Sequence, residues 1–127
     1  MEMKFYRCET CGQIVAIVRR TAAPLVCCGK PMKEIVPGTV DASQEKHLPV
    51  IEQNGNTVTV RVGSVEHPML EEHHIEWIAL QTKMGNQRKL LKAGDKPEAC
   101  FALCDGDAPV AAFEWCNLHG LWKTEAK

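Results

Sequence analysis

A chain of 127 residues has room for one medium domain, or for a small domain and a very small one, each burying a modest core. Its 15 lysines and arginines stand against 16 aspartates and glutamates, a net charge of -1 with no basic run and few aromatics, which argues against nucleic acid as the main partner. No stretch approaches about 18 apolar residues and the opening "MEMKFYRCET" has no apolar signal region, so neither a membrane span nor secretion is expected, and the cytoplasm is the expected location. Thiols stay reduced there, so the 7 cysteines are read as metal ligands before they are read as disulfides.

Taken along the chain, the first feature is a cysteine cluster. Cys8 and Cys11 form a C-x-x-C knuckle followed by Gly12, and the adjacent Cys27 and Cys28 are followed by Gly29. Four thiolates suit one tetrahedral ion, and the glycines are expected to let backbone amides turn toward the sulfurs. Spacing alone does not separate zinc from iron. Two neighbouring cysteines cannot both take a relaxed knuckle geometry, and the resulting distortion tilts the reading toward iron. The apolar run from Ile14 to Val18 reads as a strand able to pack on a second copy of the chain. Pro37 and Gly38 punctuate the aperiodic segment "EIVPGTVDASQEKH", which sets an expected boundary between residues 1–37 and 38–127. A piece of that size is too small to fold on a hydrophobic core alone and needs a metal, disulfides or a partner subunit.

Downstream the pattern is all-β. Val58, Val60 and Val62 alternate with Thr57, Thr59 and Arg61 after the pair Asn54-Gly55, which predicts a hairpin with one buried face. Further short strands are expected in "HIEWIALQT", "QRKLLKAG", "EACFALCDG" and "VAAFEWC", separated by turns at Gly85-Asn86, Gly94-Asp95 and Asp105-Gly106-Asp107. Strands at this spacing predict a β-sandwich or barrel with no helix of normal length.

Across this second region lie His47, His67, His73, Cys116 and His119, each near a strand end or turn. Imidazole with one thiolate suits iron, copper or zinc. With the motifs "CETCG", "CCG", "EKHLP", "EHPM" and "CNLHGLW" in this order, the sequence closely resembles desulfoferrodoxin, the two-iron form of superoxide reductase, from about residue 4 to residue 123. The resemblance implies a rubredoxin-like iron held by Cys8, Cys11, Cys27 and Cys28 in a small desulforedoxin-like domain. It further implies a second iron on four equatorial nitrogens, from His47, His67, His73 and His119, with Cys116 axial, in an immunoglobulin-like β-sandwich. Glu45 and Lys46 match the family's flexible glutamate and lysine beside the open position. A homodimer and a rubredoxin-like electron donor are implied as well.

Charge supports superoxide as the substrate. A ferrous ion with four neutral imidazoles and one thiolate keeps a single positive charge, Lys46 adds another, and a small anion is drawn in. If Glu45 caps the oxidised iron, a second superoxide has no position from which to be oxidised, so the expected reaction is reduction with electrons from outside. Neutral nitrogen ligands are expected to make the second iron easier to reduce than the four-thiolate iron. Two other readings, a zinc-binding structural module and a carrier using the four-thiolate iron alone, are separable by metal content and visible spectrum. His74, next to His73, is expected to be a surface or packing residue, because adjacent strand residues face opposite ways. Cys100 and Cys104, about 13 Å apart on a strand, are too distant for a disulfide and are expected to be buried thiols serving as small apolar groups.

Overall fold

The structure is a computed structural model that describes residues 2–127. The chain divides into two compact units, Met1–Val36 and Pro37–Lys127.

The first unit consists of short strands: β1 (Phe5–Arg7), β2 (Ile14–Ala16), β3 (Val26–Cys27), β4 (Lys30–Pro31) and β5 (Lys33–Glu34). β1 lies between β2 and β5, both antiparallel to it, with Tyr6 opposite Val15 on one side and Glu34 on the other. β3 and β4 form a separate hairpin with Cys28 and Gly29 at its tip. Among the described residues of this unit, Phe5 and Cys8 are the only buried apolar side chains, while Val18 is 94% exposed. Two buried side chains do not make a core, so the unit's order must come from its cysteines.

The second unit carries one helical turn, α1 (Gln44–His47), and the strands β6 (Pro49–Asn54), β7 (Thr57–Val62), β8 (Ile75–Thr82), β9 (Gly85–Leu90), β10 (Glu98–Ala102), β11 (Pro109–Cys116) and β12 (Gly120–Glu125). These form two antiparallel sheets, of order β10-β7-β6 and β12-β11-β8-β9. Val58, Val60, Val62 and Phe101 from the first sheet meet Ile75, Ile78, Leu80 and Ala112 from the second in one buried cluster. This is the expected sandwich, with the valine alternation of β7 facing inward. The opposite face of the larger sheet is also apolar, because Trp115 pairs with Trp77 and Phe113 with Ala79 across β11 and β8.

Three local expectations need correction. The hairpin between β6 and β7 turns at Gly55-Asn56, one residue later than the Asn54-Gly55 pair, since Asn54 still pairs with Thr57. Of the two turn residues only Gly55 has positive φ, +62°, the pattern of a turn whose first central residue is glycine. The β8–β9 turn falls on Lys83-Met84, two residues before Gly85-Asn86, because Gly85 already pairs with Thr82. Cys100 and Cys104 are exposed, not buried. Ala99 and Phe101 fill the inward positions of β10, so alternation turns Cys100 outward, where its sulfur lies 3.4 Å from the Thr59 hydroxyl.

Candidate metal centres

In the first unit the sulfurs of Cys8, Cys11, Cys27 and Cys28 all lie within 4.8 Å of one another. Cys11 and Cys27 are 3.6 Å apart, and Cys27 and Cys28 are 3.9 Å apart. A tetrahedral ion bonded to sulfur at about 2.3 Å spaces its ligands by about 3.8 Å, so the set fits such an ion. Cys28 has φ +53°, the one non-glycine residue in the left-handed region among those described. The adjacent pair thus reaches a common centre through strained backbone, at a cost on the order of 1 kcal/mol. The amide that reaches a sulfur is that of Cys11, 3.5 Å from Cys8 Sγ, whereas the Gly12 N–H bonds the Cys8 carbonyl.

The backbone N–H of Cys11 pulls the Cys8 thiol down to about 6, while Cys27 is pushed up to about 12 by its contacts with Cys8 and Cys11. Cys28 is raised too, first by Cys11. One thiolate therefore forms readily while Cys27 and Cys28 hold their protons more tightly. Only a cation at the centre lets all four ionise together.

The second set stands at one end of the sandwich. α1 carries Glu45, Lys46 and His47, and Gly63 lets it approach, since a Cβ there would lie 2.6 Å from the Glu45 carbonyl oxygen. His67 follows β7 and its N–H returns to the Val62 carbonyl. His73 sits in a turn closed by paired hydrogen bonds with Leu70, just before β8. Cys116 ends β11, and His119 belongs to the three-residue loop leading to Gly120 at φ +81°.

The four imidazoles form a near-square. Ring centroids are 4.7 Å apart for His47–His67, 4.7 Å for His67–His73, 4.9 Å for His73–His119 and 4.8 Å for His119–His47, with 6.4 Å across from His47 to His73. Neighbouring rings stand at 79° to 87° to one another. His47 Nε2 lies 3.0 Å from His119 Nδ1 and 3.2 Å from His67 Nε2. The fully buried Cys116 sulfur is 3.9 Å from His119 Nδ1, and all five donor atoms fall within 4.8 Å of one another.

The contact between His47 and His67 is not an ordinary hydrogen bond. His47 donates its Nδ1–H to the Ser43 carbonyl and His67 donates its Nδ1–H to the Pro68 carbonyl, each at 2.7 Å. In a neutral ring that leaves both Nε2 atoms as bare lone pairs, and they face each other. Burial keeps the rings neutral, lowering His47 and His73 and taking His67 down to about 4. The buried Nε2 of His73 has no hydrogen-bond partner. Four nitrogens in a square about a metal at roughly 2.1 Å are spaced by about 3.0 Å, so the ring fits a metal ion. Burial pushes the Cys116 thiol up, while the N–H groups of Leu118 and His119 favour its thiolate.

The sign of the His67 shift gives a pH prediction for the metal-free chain. Its folded value lies below the ordinary 6.5, so the unfolded chain binds more protons as pH falls; the stability present above 6.5 is lost progressively toward about 4. Thermal melts of metal-free protein across that window will show the decline, and His67→Gln will make it shallower, His47 and His73 supplying the remainder. A flat wild-type profile would contradict the buried neutral assignment.

The structure thus brings together all nine donors expected from the sequence. It turns His74 away, with Nδ1 on the Leu70 carbonyl at 2.9 Å. Glu45 and Lys46 are exposed on α1, and Lys46 is close enough to lower both His47 and His73 electrostatically. Two residues beside the ring were not anticipated. Trp122, buried, lies 5.0 Å from the His47 ring at 30° and donates its indole N–H to the His119 carbonyl at 3.0 Å. Asn117 links two of the loops that carry donors. Their signal was position alone: one lies between two donors, the other three residues beyond the last.

Among the described residues no helix is long and apolar enough to cross a membrane. A family model described as "Desulfoferrodoxin" matches residues 39–125, and one described as "Desulfoferrodoxin, N-terminal domain" matches residues 1–35. The chain is 51% identical over 124 residues to a desulfoferrodoxin of Syntrophotalea carbinolica, covering 98% of this chain and 97% of the relative. It is 50% identical over 125 residues to that of Nitratidesulfovibrio vulgaris, covering 98% of each. Among solved structures it is similar to the superoxide reductase from Treponema pallidum, with a TM-score of 0.83, 38% identity and coverage of 98% of this chain and 100% of the other. With both family models matched and half of all residues shared with such relatives along nearly the whole length, the chain belongs to the desulfoferrodoxin family.

Proposed function

We propose that the chain is a two-iron superoxide reductase, in which residues 38–127 reduce superoxide to hydrogen peroxide and residues 1–37 form the four-cysteine iron domain. The observation that carries the reading is the near-square of four imidazoles with one buried cysteine sulfur beside it. Similarity to a solved superoxide reductase at 38% identity over nearly the whole chain supports it. His47, His67, His73, Cys116 and His119 would hold one iron, and Cys8, Cys11, Cys27 and Cys28 the other.

Bound in the ring, iron supplies a one-electron couple and a position for a small anion. The chain's residues set how that chemistry runs. The imidazoles add no charge and Cys116 adds one negative charge, stabilised by the N–H groups of Leu118 and His119. Lys46, whose ammonium acts on His47 and His73, draws an anion toward the ring. The balanced reaction takes one superoxide, one electron and two protons to one hydrogen peroxide, the protons coming from water or from Lys46 acting through water. Glu45, exposed on α1 beside His47, would bar a second anion if its carboxylate swings over the ring.

An external one-electron donor is required by that balance, and a rubredoxin-like carrier suits it. A homodimer is consistent with the apolar surface left open on the first unit at Val18 and Val26. A cytoplasmic location suits seven cysteines that form no disulfide.

Pulse radiolysis of the prereduced, iron-loaded protein tests the function. It is expected to yield one peroxide per superoxide consumed; one per two superoxides is dismutation and overturns the reading. In the same measurement Lys46→Ala will slow the encounter roughly tenfold and flatten its dependence on salt, as a Debye length of about 8 Å at physiological ionic strength requires. Glu45→Ala will leave that encounter near wild type. An unchanged rate and salt slope in Lys46→Ala would make the lysine a solvated surface charge.

A further inference from the structure

Three of the five ring donors come from two short loops. His73 sits in the turn before β8, while Cys116 and His119 flank the β11–β12 loop. Asn117 lies between the latter two and reaches across to the former. Its Oδ1 accepts the His74 N–H at 2.9 Å, and its Nδ2 donates to the Glu72 carbonyl at 3.1 Å. Its own N–H donates to the His74 carbonyl at 3.2 Å. The peptide groups on both sides of His73 are therefore gripped by one side chain.

His73 is one of the two imidazoles, with His119, that lack a carbonyl anchor among the described residues. His47 and His67 each anchor Nδ1 on a backbone carbonyl, which fixes ring rotation. Among the described residues His73 has no such acceptor, and its Nε2 is buried without a partner. Its orientation is set by its backbone, and Asn117 is what holds that backbone relative to Cys116 and His119.

We propose that Asn117 is a positioning residue that places His73 in the metal ring by clamping the Glu72 carbonyl and the His74 N–H. The amide is suited to the task because it offers an acceptor and a donor on one rigid plane. Aspartate keeps the acceptor and loses the donor; alanine loses both.

The proposal rests on the reading that the ring binds a metal, and the test separates the two. Competition with a chelator measures Co(II) affinity at the ring in the full chain, with the four-cysteine site followed by its own absorption. Asn117→Ala is expected to weaken Co(II) binding about 10- to 100-fold, and Asn117→Asp by less. In a His73→Ala background, where the other three imidazoles and Cys116 still bind, adding Asn117→Ala is expected to change affinity less than about twofold. Wild-type affinity in Asn117→Ala, or the same loss in both backgrounds, overturns the proposal, because a general loosening of the loops does not depend on His73. If Asn117→Ala does not fold, Asn117→Asp carried through the same cycle decides by the same criteria. Failure of the wild type to bind Co(II) at the ring overturns the metal reading and this proposal with it.

Discussion

Cys116→Ser removes the thiolate-to-metal absorption of the oxidised histidine ring and lowers superoxide reduction by roughly a hundredfold or more, whereas Cys100→Ser and Cys104→Ser leave both unchanged. Cys116 is the one sulfur at the ring, fully buried at the end of β11. A serine hydroxyl does not ionise there, and it removes the sole negative charge among five donors. Loss of a group that stabilises charge at a reacting centre costs about 10²- to 10³-fold in comparable sites. Cys100 and Cys104 are exposed and belong to neither donor group. Visible spectra and pulse radiolysis of the three variants decide the matter, and a band that survives in Cys116→Ser would move the sulfur ligand elsewhere.

Cys27→Ser, or stripping of the metal by a chelator, unfolds the first unit and leaves the second folded. Phe5 and Cys8 are the only buried apolar groups described in residues 2–36, and three adjoining strand pairings of two or three residues are not stable in isolation. Structural metal in such small modules contributes an apparent 10–16 kcal/mol or so, which is the whole of their stability. The second unit has the Val58–Val60–Phe101–Ile78–Leu80 core of its own. All three tryptophans, Trp77, Trp115 and Trp122, lie in it, so tryptophan fluorescence reports that unit alone, whereas Tyr6 and Phe5 belong to the first. Hydrogen exchange will show β1 and β2 losing protection while the tryptophan signal persists, and in Cys27→Ser, whose ring keeps its iron, the prereduced ring will still consume superoxide rapidly. Protected amides in a metal-free β1 would show that something other than the cysteines orders the unit.

These two outcomes mark where the sequence was readable. Donor residues are chemically scarce and sit at turns, so all nine could be picked out before any coordinate was known. The β7 alternation was equally plain, because one face of that strand is buried and the other is not. Strands β3 to β5 carried no pattern, since two-residue strands ordered by a metal bury no face that periodicity could reveal. β12 was missed for a different reason: Leu121 and Trp122 are both buried, on opposite sides of one strand, which erases the alternation. The hairpin turn moved by one residue because register follows the burial of Val58, not the most turn-prone dipeptide. Asn117 and Trp122 meet the site through hydrogen bonds and a tilted ring contact, and nothing in their residue types distinguishes that use from packing.

The carbonyl anchors on His47 and His67 also bear on how the protein acquires iron. With both Nδ1 protons committed, the Nε2 lone pairs of His47 and His67 are aimed inward before any ion arrives, and they repel one another at 3.2 Å. Any divalent cation of suitable radius relieves that repulsion, so the ring rewards capture in general. Affinities for nitrogen and sulfur donors rise from ferrous ion through nickel to copper, with zinc also above iron. The near-square set therefore sets no barrier to copper or nickel, although it does not suit tetrahedral zinc. Which of the fitting metals a new chain carries depends on the labile pools around it as it folds, and a cell rich in free copper would fill the ring with an ion it was not made to use.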